Sequence, residues 1–261
     1  MPISISVASG KGGVGKTSIA VNLALSIAMM GSKVTFLDAD FGLANASILM
    51  GLNPSKTVLN AISGDGGLEE AVTEGPLGVQ LISGGSGLTD LLNLDQSTRF
   101  NLIRSFDTLS EKCDILFVDC PAGASESTMS FVNASDKALI VLVAEPGSFQ
   151  DAYTTVKQAA LEGGLKEFSV VINMADNESQ AKDTFERFRK ICAKFFSVNL
   201  SYVGYLPHSR NLRTSIVRRK PLIINNKACR ESVLFKSMSN KLLSSPNNVT
   251  SGITFFNKSN I

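Results

Sequence analysis

Short apolar runs recur along the chain, and each is followed by a stretch with helical spacing. Continuous apolar runs are typical of strands that are buried on both faces of a parallel sheet. Their alternation with helices over about 200 residues predicts an α/β domain, a doubly wound, mostly parallel sheet with helices on both faces. The predicted strands are Ile3–Ala8, Lys33–Leu37, Val79–Ile82, Ile115–Val118, Ala138–Val143, Ser169–Ile172 and Tyr202–Leu206.

The pattern changes near the end of the chain. Residues 232–243 are predicted to form one more helix, because apolar residues recur there near helical spacing. A polar stretch and a short apolar tail follow. We expect a domain over residues 1–243 and a linker with a tail over residues 244–261, and the tail has no evident core to join. The apolar residues of this tail are Ile253, Phe255 and Phe256.

Composition excludes several classes of protein. A hydrophobic content of 44% argues against global disorder. No apolar run approaches the ~18 residues that would span a membrane. The 4 cysteines are scattered and there is 1 histidine, which makes a histidine-based zinc site or a serine–histidine triad improbable. A reduced, cytoplasmic protein is the expected setting.

The small net charge of +2 conceals two oppositely charged parts. Residues 1–186 carry 11 basic and 22 acidic side chains, whereas residues 187–261 carry 14 basic and 1 acidic. Such asymmetry suggests a polyanionic partner, either an anionic lipid surface or nucleic acid. The bland alternative is a solvated basic face. The adjacent apolar tail favours lipid, and the absence of interleaved aromatic residues makes nucleic acid the weaker reading.

A glycine-rich loop follows the first predicted strand and leads into a helical run. It matches GxxxxGK[ST], the phosphate-binding P-loop, and lies in the strand–loop–helix context that supports this motif. Lys16 is expected to reach the phosphates, and Thr17 to bind Mg²⁺. The predicted nucleotide-binding residues of the loop are Gly10, Lys11, Gly12, Gly13, Val14, Gly15, Lys16 and Thr17.

Carboxylates follow two of the other predicted strands. Asp38 and Asp40 end the second strand, and Asp119 ends the apolar run Ile115–Val118. The carboxyl edge of an open α/β sheet is where ligands bind. One carboxylate of the first pair is expected to hold Mg²⁺ through water and the other to orient the attacking water. Asp119 is expected to approach Mg²⁺. Helix capping and turn formation are the alternative roles for the pair.

A second lysine inside the loop, Lys11, narrows the interpretation. The stretch KGGVGKT resembles the deviant Walker A box of the MinD/ParA family of ATPases. The resemblance implies an ATP-bound homodimer in which Lys11 reaches the partner's phosphates, so that Lys11, Lys16 and Asp40 are the catalytic residues. It also assigns Asp38 to the metal side and Asp40 to the water.

Three further positions follow from the resemblance. Cys120-Pro121-Ala122-Gly123 is similar to the family's second nucleotide-sensing loop, DxPAG, and implies that Gly123 offers its N–H group to the γ-phosphate. Asn173 is expected at the edge of the adenine, and Pro207 at the start of the adenine-side loop. Helix capping is the alternative role for Asn173.

Within the family, the chain resembles the FlhG branch, which controls flagellar number and placement. Residues 38–45 read like the branch's DADLGLAN, Glu145 to Tyr153 like its EPTSxxDAY, and Phe255-Phe256 like its membrane-targeting EFF segment. The resemblance implies ATP and Mg²⁺ as cofactors and reversible attachment to the inner face of the cell membrane. It also implies a protein partner such as a flagellar GTPase or a basal-body or regulatory protein.

Three rival functions stay open on the sequence alone. A ParA-type partition ATPase would bind nonspecific DNA. An iron protein of the nitrogenase kind would need paired cysteines at a dimer interface, and the scattered cysteines disfavour it. A nucleotide-binding scaffold would not turn over ATP. A tail that is disordered and without function is the alternative to membrane targeting.

Overall fold

The predicted doubly wound α/β architecture is confirmed. The computed structural model describes residues 1–41, 45–62, 67–84, 95–249 and 252–256. Eight strands form a single sheet in the order β3-β4-β2-β5-β1-β6-β7-β8, and every pairing is parallel except that of β3 with β4. The strands are β1 (Ile3–Ala8), β2 (Val34–Asp38), β3 (Val72–Glu74), β4 (Gln80–Ser83), β5 (Ile115–Asp119), β6 (Lys137–Val143), β7 (Glu167–Ala175) and β8 (Asn199–Pro207).

Helices cover both faces of this sheet. Short 3₁₀ segments also occur at Leu68–Ala71, Pro76–Gly78 and Phe106–Leu109. The α-helices are α1 (Lys16–Ala28), α2 (Asn45–Met50), α3 (Val58–Ile62), α4 (Gln96–Ser105), α5 (Glu126–Asn133), α6 (Pro146–Leu161), α7 (Glu178–Ala193), α8 (Arg210–Val217), α9 (Leu222–Asn225) and α10 (Arg230–Ser244).

The apolar strands separate two hydrophobic cores. On one face, which we call the α5 face, Leu116 and Val118 of β5 pack in the same core as Phe131 of α5. On the other, the α1 face, Phe117 packs with residues of α1 and α10. Because alternate residues of a strand point to opposite faces, both sets must be apolar, which explains the uninterrupted runs in the sequence.

The strand β3 was not predicted. It pairs antiparallel with β4 at the edge of the sheet and spans only Val72–Glu74. None of its three residues is fully buried, so the sequence has no apolar run at this position. Strand formation here depends on the neighbouring strand β4, which a local sequence pattern does not show.

The expectation that the tail has no core to join is wrong. Phe255 is 0% and Phe256 2% exposed, and both belong to the core of the α5 face, with Ile253 packed against it. Burying a phenylalanine side chain contributes about 2 kcal/mol or more, which offsets part of the cost of ordering this segment. The three residues predicted to contact a membrane therefore lie against the protein in this structure.

The preceding polar stretch is also attached to the domain. Asn248 is buried, and its backbone N–H donates to the carbonyl oxygen of Asp136 at 2.7 Å. Its side chain binds the backbone of Lys166 and Glu167 at the start of β7. This stretch is hence a strap across the amino ends of the central strands, not a free linker.

The basic part of the chain does not form one surface. Helices α8 and α9 pack their buried residues Leu212 and Leu222 into the core of the α1 face. Helix α7 and the tail pack on the α5 face. Net charge along the sequence could not show this division, because the last third of the chain wraps around the sheet. No helix in the described ranges combines the length and apolarity needed to cross a membrane.

Candidate nucleotide-binding site

The predicted phosphate loop connects β1 to α1 at the carboxyl edge of the sheet. Gly13 and Gly15 adopt φ angles of 81° and 83°, a region that favours glycine because a Cβ atom would be strained there. Gly15 caps α1 without a side-chain hydrogen bond, so the first N–H groups of the helix have no side-chain acceptor. Such a helix N-terminus favours a phosphate group.

Gly10 is required for a different reason. A Cβ atom at this position would lie 2.1 Å from the carbonyl carbon of Asp151 and 2.3 Å from the backbone nitrogen of Ala152. The loop therefore rests directly on the backbone of α6. In the next position of α6, the Tyr153 ring contacts that of Phe196, with 5.3 Å between centroids.

Substitution of Gly10 tests this backbone contact. We expect Gly10→Ala to destabilise the protein by about 1–3 kcal/mol, since the added methyl group displaces α6 or the loop. Urea unfolding measures the change, and Gly12→Ala is the matched control, because a Cβ atom at Gly12 meets nothing within 4 Å. Equal unfolding midpoints for the two variants would contradict the packing described.

Lys16 and Asp119 form a buried ion pair at the centre of the site. The Lys16 Nζ atom lies 2.5 Å from Asp119 Oδ1, and the two side chains are 6% and 0% exposed. Burial opposes the charged form of Lys16, but the Asp119 carboxylate outweighs it, so the lysine pKa is raised. The lysine is therefore charged and lies against the Asp119 carboxylate.

The donor set beside this pair fits Mg²⁺. Asp119 Oδ2 is buried without a hydrogen-bond partner in the described part of the chain, and Thr17 lies next to Asp119 as a hydrogen-bonding neighbour. Mg²⁺ in nucleotide sites is bound by one or two protein oxygens together with phosphates and water. Thr17 and Asp119 are the residues here that would hold the ion, and their role as its ligands stays a prediction.

Asp38 has the structural task that the sequence offered as its alternative role, helix capping and turn formation. Its Oδ2 accepts the N–H of Ala46 at 2.9 Å, and its Oδ1 accepts the N–H of Asp40 at 3.3 Å. Burial and then the charge of Asp119 raise the pKa of Asp38 to about 7. Asp38 thus fastens the start of α2 and the turn that carries Asp40. Its metal-side role stays a prediction.

Asp40 borders a cavity of about 370 Å³ beside the phosphate loop. Lys11, Lys16 and Thr17 line the same cavity, together with Ile48 of α2 and Ile216 of α8. Sequence reasoning did not find Ile216, since no motif connects α8 to the loop. Residues 42–44, which belong to the predicted branch motif, lie outside the described residues.

Lys11 forms an ion pair outside the phosphate loop. Its Nζ atom lies 2.7 Å from Glu145 Oε2, and the two side chains are 39% and 62% exposed. An exposed pair of this kind contributes under about 1 kcal/mol. The ion pair with Glu145 therefore keeps Lys11 beside the cavity only weakly. The sequence had indicated Glu145 only as part of a branch motif.

Gly123 has the φ angle of 87° that a glycine allows, at the turn after β5. Its N–H group donates to the carbonyl oxygen of Ser9 at 2.8 Å. Its donation to a γ-phosphate stays a prediction. To bind a γ-phosphate, the Gly123 N–H group would have to break its hydrogen bond with the Ser9 carbonyl. The Ser9 carbonyl and a phosphate oxygen would thus compete for the same N–H group.

Asn173 supports the phosphate loop from below. Its Nδ2 atom donates to the carbonyl oxygen of Val14 at 2.7 Å, and the side chain is buried. Pro207 ends the neighbouring strand β8, in register with Ala175 of β7. Asn173 and Pro207 thus lie near the carboxyl ends of two adjacent strands, at the edge of the sheet that carries the phosphate loop. Their contact with adenine stays a prediction.

Cysteine chemistry has little support in the described part of the chain. Cys113, Cys120 and Cys192 are buried, and Cys229 is partly exposed. Burial raises the pKa of Cys120 to about 12 and that of Cys192 to about 12, so both thiols remain protonated at neutral pH. Scattered, protonated thiols do not form the paired ligand set of an iron–sulfur cluster.

Comparison with known sequences gives consistent matches. The sequence model of the ParA family described as NUBPL iron-transfer P-loop NTPase matches residues 2–243. The antiactivator FleN of Pseudomonas aeruginosa is 36% identical over 242 residues, which cover 93% of this chain and 86% of FleN. The flagellum site-determining protein YlxH of Helicobacter pylori is 33% identical, over 84% of this chain and 74% of YlxH.

Solved structures agree on the fold. The septum site-determining protein MinD of Pyrococcus horikoshii, complexed with Mg-ADP, superposes with a TM-score of 0.77 at 23% identity. The match covers 92% of this chain and 96% of the MinD chain. At this identity, the similarity supports the arrangement of the sheet and helices, while the family rests on the sequence matches.

Proposed function

Because the chain belongs to the ParA family of P-loop NTPases, we propose that it is an ATP-dependent dimerising switch of the FlhG type. It is an ATPase, with ATP and Mg²⁺ as its cofactors. The similarity to FleN and YlxH confirms the predicted branch and supports control of flagellar number or placement as the output.

The residues of the site have distinct roles in this proposal. Lys16 would exchange Asp119 for the phosphates of ATP. Asp119 and Thr17 would then hold Mg²⁺, which would neutralise charge on the phosphate oxygens. Asp40 orients the attacking water at the open side of the cavity. The Asn173 amide nitrogen donates to the Val14 carbonyl oxygen. The Asn173 amide oxygen would then be the acceptor for the adenine amino group.

The position of Lys11 is the observation that carries the proposal. Lys11 lies at the cavity mouth, bound to Glu145 by an exposed ion pair. A side chain held so weakly can exchange Glu145 for the phosphates of a second protomer at little cost. The positive charge then acts in trans, in the manner of an arginine finger. ATP bound between two protomers therefore stabilises the dimer.

The tail connects this cycle to a membrane. Ile253, Phe255 and Phe256 are packed on the α5 face, so they reach lipid only after they leave it. Three apolar side chains are a weak anchor alone, and two tails on one dimer bind together by avidity. The exposed Arg187 and Lys190 of α7, with Lys194 directly after it, lie on the same face as the tail and add attraction for anionic headgroups.

Vesicle co-sedimentation tests the proposed output. With vesicles containing phosphatidylglycerol, we expect several-fold more protein in the pellet with Mg-ATP than with Mg-ADP or without nucleotide. Ile253→Asp should abolish the ATP-dependent fraction, whereas the matched control Val249→Asp should retain it, because Val249 is 95% exposed beside the bound Asn248. Equal pelleting in all three nucleotide conditions would refute the membrane switch.

A second candidate function rests on the basic turn after α8. Arg218, Arg219 and Lys220 are exposed there, close to Ile216 at the nucleotide cavity. This position is compatible with nonspecific DNA binding by a ParA-type partition ATPase. ATP-dependent retention on DNA that falls steeply with added salt would favour it over the lipid switch.

A further inference from the structure

In the described part of the chain, the segment after α10 is attached to the domain around two residues, Asn248 of the polar stretch and Phe255 of the tail. The first is Asn248, whose side-chain oxygen accepts the N–H groups of Lys166 and Glu167, each at 2.9 Å. Its amide nitrogen donates to the Glu167 carbonyl at 2.9 Å. All these partners lie at the amino end of β7, opposite to the edge that carries the phosphate loop. This first point has no contact with the nucleotide cavity.

The second point is Phe255. Its backbone N–H donates to the carbonyl oxygen of Ala134 at 3.0 Å. Its ring lies parallel to that of Phe131 with 6.4 Å between centroids, and edge-on to that of Phe106 at 5.3 Å. Apart from one backbone hydrogen bond, the tail is therefore held here by apolar contacts, which are lost if the receiving rings move.

Phe131 also contacts the nucleotide side of the protein. Its ring lies edge-on to that of Phe41, with 6.0 Å between centroids, and Phe41 directly follows Asp40. The helix of Phe131, α5, is joined to the second loop by the Thr128 hydroxyl, which donates to the Pro121 carbonyl at 3.4 Å. One side chain thus touches the turn of Asp40 on one side and the tail on the other.

We propose that Phe131 couples the nucleotide site to the tail, and that the Phe41–Phe131–Phe255 contacts release residues 252–256 while Asn248 stays bound. A phosphate-driven movement of the Asp40 turn withdraws Phe41 from Phe131. The Phe131 ring then relaxes toward the space that Phe41 leaves, and its contact with Phe255 is lost. This inference rests on the proposed ATP-dependent switch and assigns residues to its regulation.

A single tryptophan reports the state of the tail. The chain has 0 tryptophans, so Ile253→Trp places one indole at the edge of the docked tail. With Mg²⁺ and a non-hydrolysable ATP analogue, we expect the acrylamide quenching constant to rise about twofold or more, and Mg-ADP to leave it unchanged. In the same background, Phe41→Leu should remove this rise.

Phe149→Leu is the matched control. Phe149 meets Phe188 edge-on at 6.0 Å, nearly the same geometry as Phe41 with Phe131, but away from the tail rings. This variant should keep the full nucleotide response. Phe131→Leu should lose the nucleotide response, as Phe41→Leu does. Because Phe131 does not line the nucleotide cavity, this variant keeps the test valid if Phe41→Leu impairs nucleotide binding. A response in Phe131→Leu equal to that of the parent would overturn the coupling.

The outcomes separate this inference from the proposed function. If the parent releases its tail on binding the analogue but does not pellet with vesicles, the membrane role fails and the coupling stands. If vesicle binding depends on ATP while Phe131→Leu behaves like the parent, the switch stands and the coupling through Phe131 fails. Hydrogen exchange at the Asn248 N–H should remain slow in both nucleotide states, and acceleration there would contradict the fixed first point.

Discussion

Asp40→Ala is expected to lower the ATP turnover rate about 100-fold or more while nucleotide binding is kept. The side chain borders the cavity, whereas the connection of Asp40 to Asp38 runs through its backbone N–H, which alanine retains. The variant should therefore fold normally and accumulate as an ATP-bound dimer. Phosphate release measures turnover, and size-exclusion chromatography with light scattering measures the dimer.

The control for this experiment is Asp183→Ala, an exposed aspartate on the surface of α7. It should match the parent in turnover and in dimer formation. Unchanged hydrolysis in Asp40→Ala would show that another group orients the water. Loss of ATP binding would instead show that Asp40 contributes to binding of the nucleotide before hydrolysis.

Lys11→Ala is expected to lower turnover about 10³-fold, the scale of a charge donor supplied in trans. Stability should change by under about 1 kcal/mol, since the Lys11–Glu145 pair is exposed. The buried Lys16 remains, so a labelled nucleotide should still bind to the monomer. A stopped assay of phosphate release and a nucleotide titration separate these two effects.

Lys56→Ala is the matched control for Lys11→Ala. Lys56 is 43% exposed and pairs with Glu70 at 2.5 Å, so its ion pair resembles that of Lys11 in exposure but lies elsewhere. Its removal should leave turnover unchanged. Full activity of Lys11→Ala would exclude the trans role and leave an ordinary P-loop ATPase.

Much of the fold and of the phosphate site was predictable because local rules determine them. Strands buried on both faces must be apolar throughout, and this signal located seven of the eight strands. The phosphate loop has a fixed spacing between strand and helix, and Asp119 ends another apolar strand, so the sequence predicts Lys16, Thr17 and Asp119 at one edge of the sheet. The structure brings these three side chains together as expected.

The remaining features depend on contacts between distant parts of the chain. Glu145 meets Lys11 across 134 residues, and the roles of Asp38 depend on where α2 begins. The tail looked unpartnered because its core, formed by Phe106 and Phe131, is distant in sequence. The net positive charge of residues 187–261 likewise suggested one basic surface. A net charge does not show on which face of the sheet each helix lies.

The most direct test of the dimeric switch mixes two inactive variants. Lys11→Ala and Asp40→Ala are combined in equal amounts with Mg-ATP, and phosphate release is measured. If Lys11 acts in trans, a mixed dimer contains one complete site, with Asp40 from one protomer and Lys11 from the other, and the mixture recovers about a quarter of the parent rate. If Lys11 acts within its own protomer, neither site is complete, and a rate no higher than that of the separate variants would contradict the account.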